Sequence, residues 1–215
     1  MLILAVDTSG RQGGMTLARG TSEQLEIIES AFIEGGTFSA ELIPQISQVL
    51  SRHNFAPQQL EGLVAVTGPG SFTGLRVGLT AIKGLAEVLQ LPIATVTSLE
   101  LLLAARPDAD VLAVLDAGRG EFYAALQTGG SWEELLLSVA QAAELATSRN
   151  LRVIATETVV ASKFADADVI QGRSSEVAAR LGLKKLLSGN TVDVLVLDAN
   201  YVRRSEDEYM QKLKK

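Results

Sequence analysis

One short pattern occurs twice in this chain, and the repeat limits the folds that the chain can adopt. The segment LILAVDTSGRQGGMTLA near the start resembles VLAVLDAGRGEFYAAL further on, and the match aligns Asp7 with Asp116. Each copy reads as an apolar strand that ends in Asp, a small turn with Gly and Arg, and a second strand, which is the pattern of a β-hairpin. Two such hairpins predict a duplicated lobe, although this pattern can also recur by chance in an α/β chain.

Short β-type runs alternate with helical stretches along the whole chain. This alternation is typical of an α/β protein with a mixed sheet in each lobe. Strands are predicted at 2–6, 15–18, 25–33, 63–67, 93–96, 111–115, 121–126, 153–155 and 169–170, and helices at 39–52, 72–89, 98–105, 132–147 and 174–187.

The composition supports one large domain or two small lobes with a buried core. Of the 215 residues, 47% are hydrophobic and 20% are charged, which excludes a disordered chain. There is no cysteine and one histidine, His53, so thiol nucleophiles and multi-histidine metal sites are excluded. The net charge of −6 disfavours nucleic-acid binding over the surface as a whole, and we interpret basic spots such as Lys184 and Lys185 mostly as solvated surface.

No segment has the pattern of a membrane span or a signal peptide. Asp7 comes too early for the apolar region of a signal peptide, and no uncharged apolar run approaches the ~20 residues that a membrane span needs. We therefore expect a soluble, cytoplasmic protein with no membrane partner.

The most informative segment is LVAVTGPGSFTGLRVGLTAIKGLAEVLQLPIATVTSLELL, which spans residues 63–102. It reads as a strand, a glycine-rich turn, a long helix, a strand and another helix. Ser71 or Thr73 can cap the long helix, and free N–H groups at its start could hold an anion. The pattern is neither a Walker loop nor a dinucleotide fingerprint, so a structural turn and a ligand loop remain equally open. The candidate loop residues are Gly68, Pro69, Gly70, Ser71, Phe72, Thr73, Gly74 and Arg76.

Three stretches together resemble the TsaB family, the non-catalytic members of the bacterial machinery that makes threonylcarbamoyladenosine on tRNA. They are GPGSFTGLRVGLTAIKGLA, the opening ILAVDTS and the later LDAGRGEFYAAL, and the resemblance covers residues 1 to about 127. Towards the end it weakens to DANYVRRSE, which is similar to the family's Pro-x-Tyr-Leu-Arg stretch but has Ala199 and Val202 in place of Pro and Leu.

The resemblance implies an actin/hexokinase-like fold of two ribonuclease-H-like lobes. The lobes would span residues 1–103 and 104–198, with the tail 199–215 packing back on the first. In nucleotide-binding relatives the two Asp-bearing hairpins approach phosphates and a metal, so weak binding of ATP or ADP with Mg²⁺ is expected at Asp7, Thr8, Ser9 and Asp116. The alternative is that these side chains only stabilise their own turns.

The resemblance also implies that catalysis occurs in another protein. The catalytic paralogue, TsaD, carries an HxxxH metal pair on the helix where this chain has Ser98 and Leu102. Neither residue can replace an imidazole as a ligand, so we expect no catalytic residue, no resident metal and no required cofactor. The implied partners are a TsaD-like catalytic subunit and, through it, a TsaE-like ATPase subunit and tRNA. His53 is interpreted as a packing or helix C-terminal residue.

The predicted helices suggest where a partner binds. On an ideal helix the apolar side chains of 72–89 cover an arc of about 220°, whereas those of 39–52 cover about 120°. The long helix must therefore bury two sides, either both within the chain or one against a TsaD-like subunit or a second copy of this chain. The predicted interface residues are Leu42, Ile46, Leu75, Gly78, Leu79, Ile82 and Leu85.

Two other functions are left open by the sequence. One is an independent ATP-dependent phosphotransferase of the same fold, and the other is a metallopeptidase. The missing histidines count against the peptidase, and no recognised motif places a substrate base for the phosphotransferase.

Overall fold

The structure is a computed structural model that describes residues 1–107, 109–170 and 174–200. The strands are β1 Leu2–Asp7, β2 Gln12–Gly20, β3 Leu25–Glu34, β4 Gly62–Val66, β5 Ile93–Val96, β6 Val111–Gly118, β7 Glu121–Thr128, β8 Ser131–Ser138, β9 Arg152–Ala155 and β10 Ala167–Val169. The helices are α1 Phe38–Arg52, α2 Phe72–Leu89, α3 Ser98–Leu103, α4 Val139–Ser148, α5 Thr158–Ala161 and α6 Ser174–Leu187, with a short 3-10 turn at Pro57–Gln59.

The strands form two five-stranded mixed sheets of matching design. The first has the order β3-β2-β1-β4-β5 and the second the order β10-β9-β6-β7-β8. In each sheet a hairpin, β1–β2 or β6–β7, pairs antiparallel, and its first strand also pairs parallel with the next crossover strand, β4 or β9. The predicted α/β class with a mixed sheet in each half is confirmed, and the repeated pattern does form the two equivalent hairpins.

Helices cover both faces of the first sheet. One face packs against α1 and α2, and the other packs against the small and apolar side chains of α6. In the second sheet, α4 and α5 cover one face and the leucines of α3 pack on the other. Each half therefore contributes one helix to the other half. Helix α3 follows the first sheet in sequence but packs on the second sheet, and α6 follows the second sheet but packs on the first. The domain boundary near residue 103 stays a prediction.

A lysine joins the two crossing helices. Lys185 of α6 donates from Nζ to Oε1 of Glu100 on α3, at 2.7 Å, and to the carbonyl oxygen of Thr95, at 2.8 Å. Its side chain is mostly buried. The interpretation of Lys185 as solvated surface was therefore wrong, because the close approach of α3 and α6 provides acceptors that sequence patterning does not show.

The predicted helix 132–147 was also wrong in its first half. Residues Ser131–Ser138 form the edge strand β8, and the helix begins only at Val139. Leu135 and Leu137 alternate towards the core of the second sheet, which is the period of a strand, while Ser138 and Gln141 form a capping box that starts α4. Adjacent glutamates and leucines had suggested helical spacing.

The last described segment returns to the first sheet. Residues 191–200, here called the C-terminal strap, bridge the edge of β5 through Val192 and Ile93 and bury Leu197 and Ala199 in the first core. The backbone N–H of Asn200 then donates to the carbonyl oxygen of Thr67. Of the tail predicted at 199–215, residues 201–215 lie outside the described chain. Among the described helices, none is both long and apolar enough to cross a membrane.

Candidate functional site

The first hairpin turn is closed by its own side chains. The carboxylate of Asp7, at the end of β1, is only 3% exposed. Its Oδ1 accepts hydrogen bonds from the backbone N–H of Ser9, at 2.9 Å, and from the Ser9 hydroxyl, at 2.6 Å. This is the arrangement of an Asx turn, in which an aspartate side chain stabilises the backbone two residues ahead.

Helix α2 lies directly against this turn. The Thr8 hydroxyl donates to the carbonyl oxygen of Gly74, at 2.7 Å. A Cβ atom on Gly74 would overlap the carbonyl oxygen of Thr8, and one on Gly78 would overlap the Thr8 hydroxyl. The two glycines therefore allow the close approach of α2 to the hairpin.

The glycine-rich loop before α2 is a junction between several elements. The backbone N–H of Ser71 donates to the carbonyl oxygen of Ser9, at 2.6 Å, and the Ser71 hydroxyl caps α2 by accepting from the N–H of Gly74. Gly68 has a φ of +101°, which suits glycine, and its carbonyl oxygen accepts from the N–H of Ser98 on α3. Of the two roles left open for this loop, these contacts describe the structural one.

The exposed part of the loop carries an aromatic and a cation. The guanidinium of Arg76 lies over the ring of Phe72, 3.8 Å from its centroid, and the Phe72 side chain is half-exposed. Thr73 is exposed beside them, while Pro69 is buried. The sequence identified these residues as a group but not the stacking of Arg76 on Phe72.

The second hairpin places its aspartate differently. Asp116 is exposed, and its Oδ1 accepts one hydrogen bond, from the N–H of Gly118 at 3.0 Å. The structure thus brings Asp7, Thr8 and Ser9 together with the loop, whereas the hydrogen bond of Asp116 stays within its own turn.

This geometry bears on the expected weak nucleotide site. A magnesium-bound nucleotide requires carboxylate oxygens that face the ion. Asp7 does not fit that role as arranged, because it is buried and its Oδ1 already accepts two hydrogen bonds. Asp116 alone could offer an exposed carboxylate. Binding of ATP or ADP stays a prediction.

The positions of the paralogue's histidines are inside the molecule. Ser98 is buried at the start of α3, its hydroxyl has no hydrogen-bond partner among the described residues, and Leu102 packs in the core of the second sheet. Across the described ranges, no group of three acidic or histidine side chains is arranged to hold a metal ion.

The residues predicted to form the partner interface are mostly internal. Leu42, Ile46, Leu75, Gly78, Leu79 and Ile82 are buried within this chain, and Leu85 is half-buried. The prediction that these six buried residues contact a partner is therefore corrected. They are buried because both helices direct their widest apolar stripes towards the first sheet. Ile43, Gly84 and Val88 are exposed on the two helices, whereas Val77 and Ala81 are half-buried and also pack against the first core.

The single histidine lies at the end of α1, as predicted, and forms a side-chain contact that the sequence did not reveal. His53 Nε2 is 2.8 Å from Oε2 of Glu29 on β3, and Arg52 also donates to both carboxylate oxygens of Glu29. The hydrogen bonds from Arg52 lower the pKa of Glu29 more than burial raises it, with a further lowering from His53. This cluster attaches the end of α1 to the edge of the first sheet.

Comparison with known proteins identifies the family. The family model described as TsaD, tRNA N6-adenosine threonylcarbamoyltransferase, matches residues 35–206. The chain is 39% identical over 128 residues to the tRNA threonylcarbamoyladenosine biosynthesis protein TsaB of Bacillus subtilis, which covers 59% of this chain and 55% of that protein. For the Haemophilus influenzae TsaB protein the identity is 32%, over 57% and 52% of the two chains. The chain thus spans about half the length of the curated relatives it matches.

A solved structure shows the same fold over nearly the whole chain. It is the crystal structure of an uncharacterized Pseudomonas aeruginosa protein with similarity to peptidase YEAZ, and it superposes with a TM-score of 0.74 at 21% identity, covering 94% of this chain and 99% of that one. With the two mixed sheets, this likeness confirms the predicted two-lobe actin/hexokinase-like fold. Because the family model matches most of the chain and the relatives it aligns with include TsaB proteins, the chain belongs to the TsaD family and is of the TsaB type.

Proposed function

We propose that this protein is a non-catalytic scaffold subunit that binds a TsaD-like catalytic subunit in the cytoplasmic complex that forms N6-threonylcarbamoyladenosine beside the tRNA anticodon. A TsaE-like ATPase subunit and tRNA would join through that subunit. The observation that carries the proposal is the outer face of the α1 and α2 pair. This face exposes apolar and small side chains that nothing in the described chain covers.

The outer helix face, which comprises Ile43, Val77, Ala81, Gly84 and Val88, has a shape that suits packing against another helix. Val88 is 81% exposed and Ile43 is 52% exposed, while Val77 and Ala81 are half-buried against the first core. A Cβ on Gly84 would meet nothing within 4 Å. The absence of a side chain at this exposed position of α2 permits the close approach of another helix. Two helices from each of two subunits can bury such faces as a four-helix contact.

The buried Ser98 and Leu102 favour a scaffold role over a catalytic one. In the catalytic paralogue these positions carry the two metal-binding histidines, and here they complete the packing of α3. The described residues thus retain the packing role of that helix and lack its metal-binding side chains.

The second candidate, an ATP-dependent phosphotransferase, is favoured by the pair of Asp-bearing hairpins. Such an enzyme needs both carboxylates near the phosphates and a placed nucleophile. The buried and internally bonded Asp7 counts against it. Steady ATP turnover by the purified chain that is lost in both Asp7→Ala and Asp116→Ala would favour the phosphotransferase over the scaffold.

The scaffold proposal is tested by charging the outer helix face. Val88→Glu and Ile43→Glu place a carboxylate where the partner would exclude water, and an unpaired buried charge is costly. We expect binding to the TsaD-type protein of the same organism to weaken at least about tenfold, or about 1.4 kcal/mol, with loss of modification in a reconstituted reaction. Because both side chains are exposed, circular dichroism should show an intact fold.

Val159→Glu is the matched control, since Val159 is exposed on α5 of the other lobe. It should leave binding unchanged. Normal binding by folded Val88→Glu and Ile43→Glu would place the interface elsewhere. Full modification in a reaction that lacks this subunit would remove the scaffold role itself.

A further inference from the structure

A groove of about 380 Å³ lies on the other flank of α2, away from α1. It is bounded by the C-terminal end of α2, the start of β5 and the C-terminal strap. Most of its lining side chains are apolar, namely Ala86, Leu91, Pro92, Ile93, Val192 and Val194, and the polar residues Glu87 and Gln90 complete the wall. The groove is large enough for one or two aliphatic or aromatic side chains and too small for a folded element.

The strap holds two large apolar side chains in water beside this groove. Leu195 is 84% exposed and Val196 is 73% exposed. They are not loose, because the N–H of Leu195 donates to Oδ1 of Asp193 and the N–H groups of Val196 and Leu197 donate to the Asp193 carbonyl oxygen. Leu197 then anchors the turn in the core. A rigid turn that exposes adjacent apolar residues beside an apolar groove is typical of an interaction surface.

The charged groups around the groove are acidic. Glu87 lines it, and the exposed Asp193 lies between the lining residues Val192 and Val194. Among the described residues that line the groove, there is no lysine or arginine. The surface therefore complements an apolar side chain carried on a basic segment, since a basic neighbour would pair with these carboxylates.

We propose that this groove is a second contact for the catalytic partner and receives an apolar side chain from a basic segment of that protein. The proposal rests on the proposed scaffold function. Glu87 lies one position before Val88, about 100° away around the helix, so the groove and the outer helix face border the same end of α2. A partner seated on α1 and α2 thus reaches the groove by extending past the last turn of α2.

The experiment measures the affinity of the full chain for the TsaD-type protein of the same organism by calorimetry, at low and high salt. Leu195→Asp should weaken binding at least about fivefold, because it puts a charge beside the groove that receives the partner's apolar side chain. Glu87→Lys should weaken binding mainly at low salt, because it reverses the charge that attracts the basic segment. Val159→Asp, an equally exposed change on the other lobe, should have no effect.

The outcomes separate this proposal from the one on which it depends. If Val88→Glu weakens binding while Leu195→Asp and Glu87→Lys do not, the groove proposal is overturned and the scaffold function stands. If none of the three variants weakens binding, the groove proposal is overturned and the partner interface lies elsewhere on the chain, whereas the scaffold function fails only if modification is complete without this subunit. If a chain ending at Asn200 binds the partner more tightly, residues 201–215 compete for the groove and the proposal is overturned. If Leu195→Asp abolishes only self-association, the groove binds a second copy instead.

Discussion

The two hairpins share a sequence pattern, but their surroundings give the equivalent aspartates opposite environments. In the first, Asp7 is buried, and Thr8 and Ser9 hydrogen-bond to the elements that pack on the turn. In the second, Asp116 is exposed, and within the described part of the chain its hydrogen bond stays in its own turn. The difference comes from helix α2, because its glycines and the loop before it let that helix contact the first turn. The same local motif is thus a structural junction in one lobe and an exposed turn in the other.

The largest expected difference between the hairpins comes from Gly74. Gly74→Ala places a methyl group on the carbonyl oxygen of Thr8, a backbone atom that cannot move without shifting β1 or α2. We expect a loss of about 3 kcal/mol or more in the free energy of unfolding, measured by urea titration.

Two alanine controls sharpen that measurement. Gly84→Ala, on the same helix with open space around it, should be neutral or stabilising by up to about 1 kcal/mol. Gly118→Ala in the second hairpin should cost about 1 to 2 kcal/mol, since its φ of +73° strains any residue with a Cβ. A cost at Gly74 no larger than the change at Gly84 would contradict the close packing of α2 on the first turn.

The next effect is expected from the aspartates themselves. Asp7→Ala removes the acceptor for both Ser9 donors in a buried site, so we expect a loss of about 2 kcal/mol. Asp116→Ala removes one exposed hydrogen bond and should change stability by less than about 0.5 kcal/mol. Thermal unfolding of the two single variants measures the contrast, and similar losses would contradict the assigned difference in burial.

A smaller effect is expected from the hydroxyl of Thr8. Thr8→Val keeps the shape of the side chain and removes the hydrogen bond to the Gly74 carbonyl oxygen, at an expected cost of about 1 kcal/mol. The corresponding residue after Asp116 is Ala117, which has no hydroxyl to lose. If Thr8→Val were neutral, the contact of α2 with the hairpin would depend on glycine packing alone, and the Gly74→Ala result would still hold.

The sequence predicted the parts of the fold that depend on local sequence patterns. Helix α2 was predicted with its observed bounds, because its apolar period is regular and Ser71 precedes it as a cap. Strand β8 was missed because its glutamates and leucines are strong helix formers, and its pairing with β7 outweighs that preference.

The candidate site was predicted as a group of residues but not as an arrangement. The repeat identified Asp7 and Asp116, yet only the packing of α2, about 70 residues along the chain, decides that Asp7 is buried. The interface prediction named side chains that are mostly buried within the chain, and a partner site on these two helices stays a prediction. An apolar arc shows that a helix is buried on two sides, but it does not show which side meets the chain's own sheet.

The smallest expected effect compares the outer edges of the two sheets at low pH. Arg52 lowers the pKa of Glu29 on the first sheet through hydrogen bonds, and Arg152 does the same for Asp168 on the second. Because each pKa is lower in the folded protein than in the unfolded chain, each carboxylate stabilises the fold fully above its ordinary pKa, near pH 4. That stabilisation is lost as the pH falls through the lower folded value. In each pair the arginine is about half-exposed and the carboxylate about a quarter exposed, so solvent screening keeps the effects small. Glu29→Gln and Asp168→Asn should each be slightly less stable than the original chain at pH 7, with the difference vanishing towards pH 2 in thermal unfolding. A difference that persists unchanged at pH 2 would show that the substitutions act through packing rather than through charge.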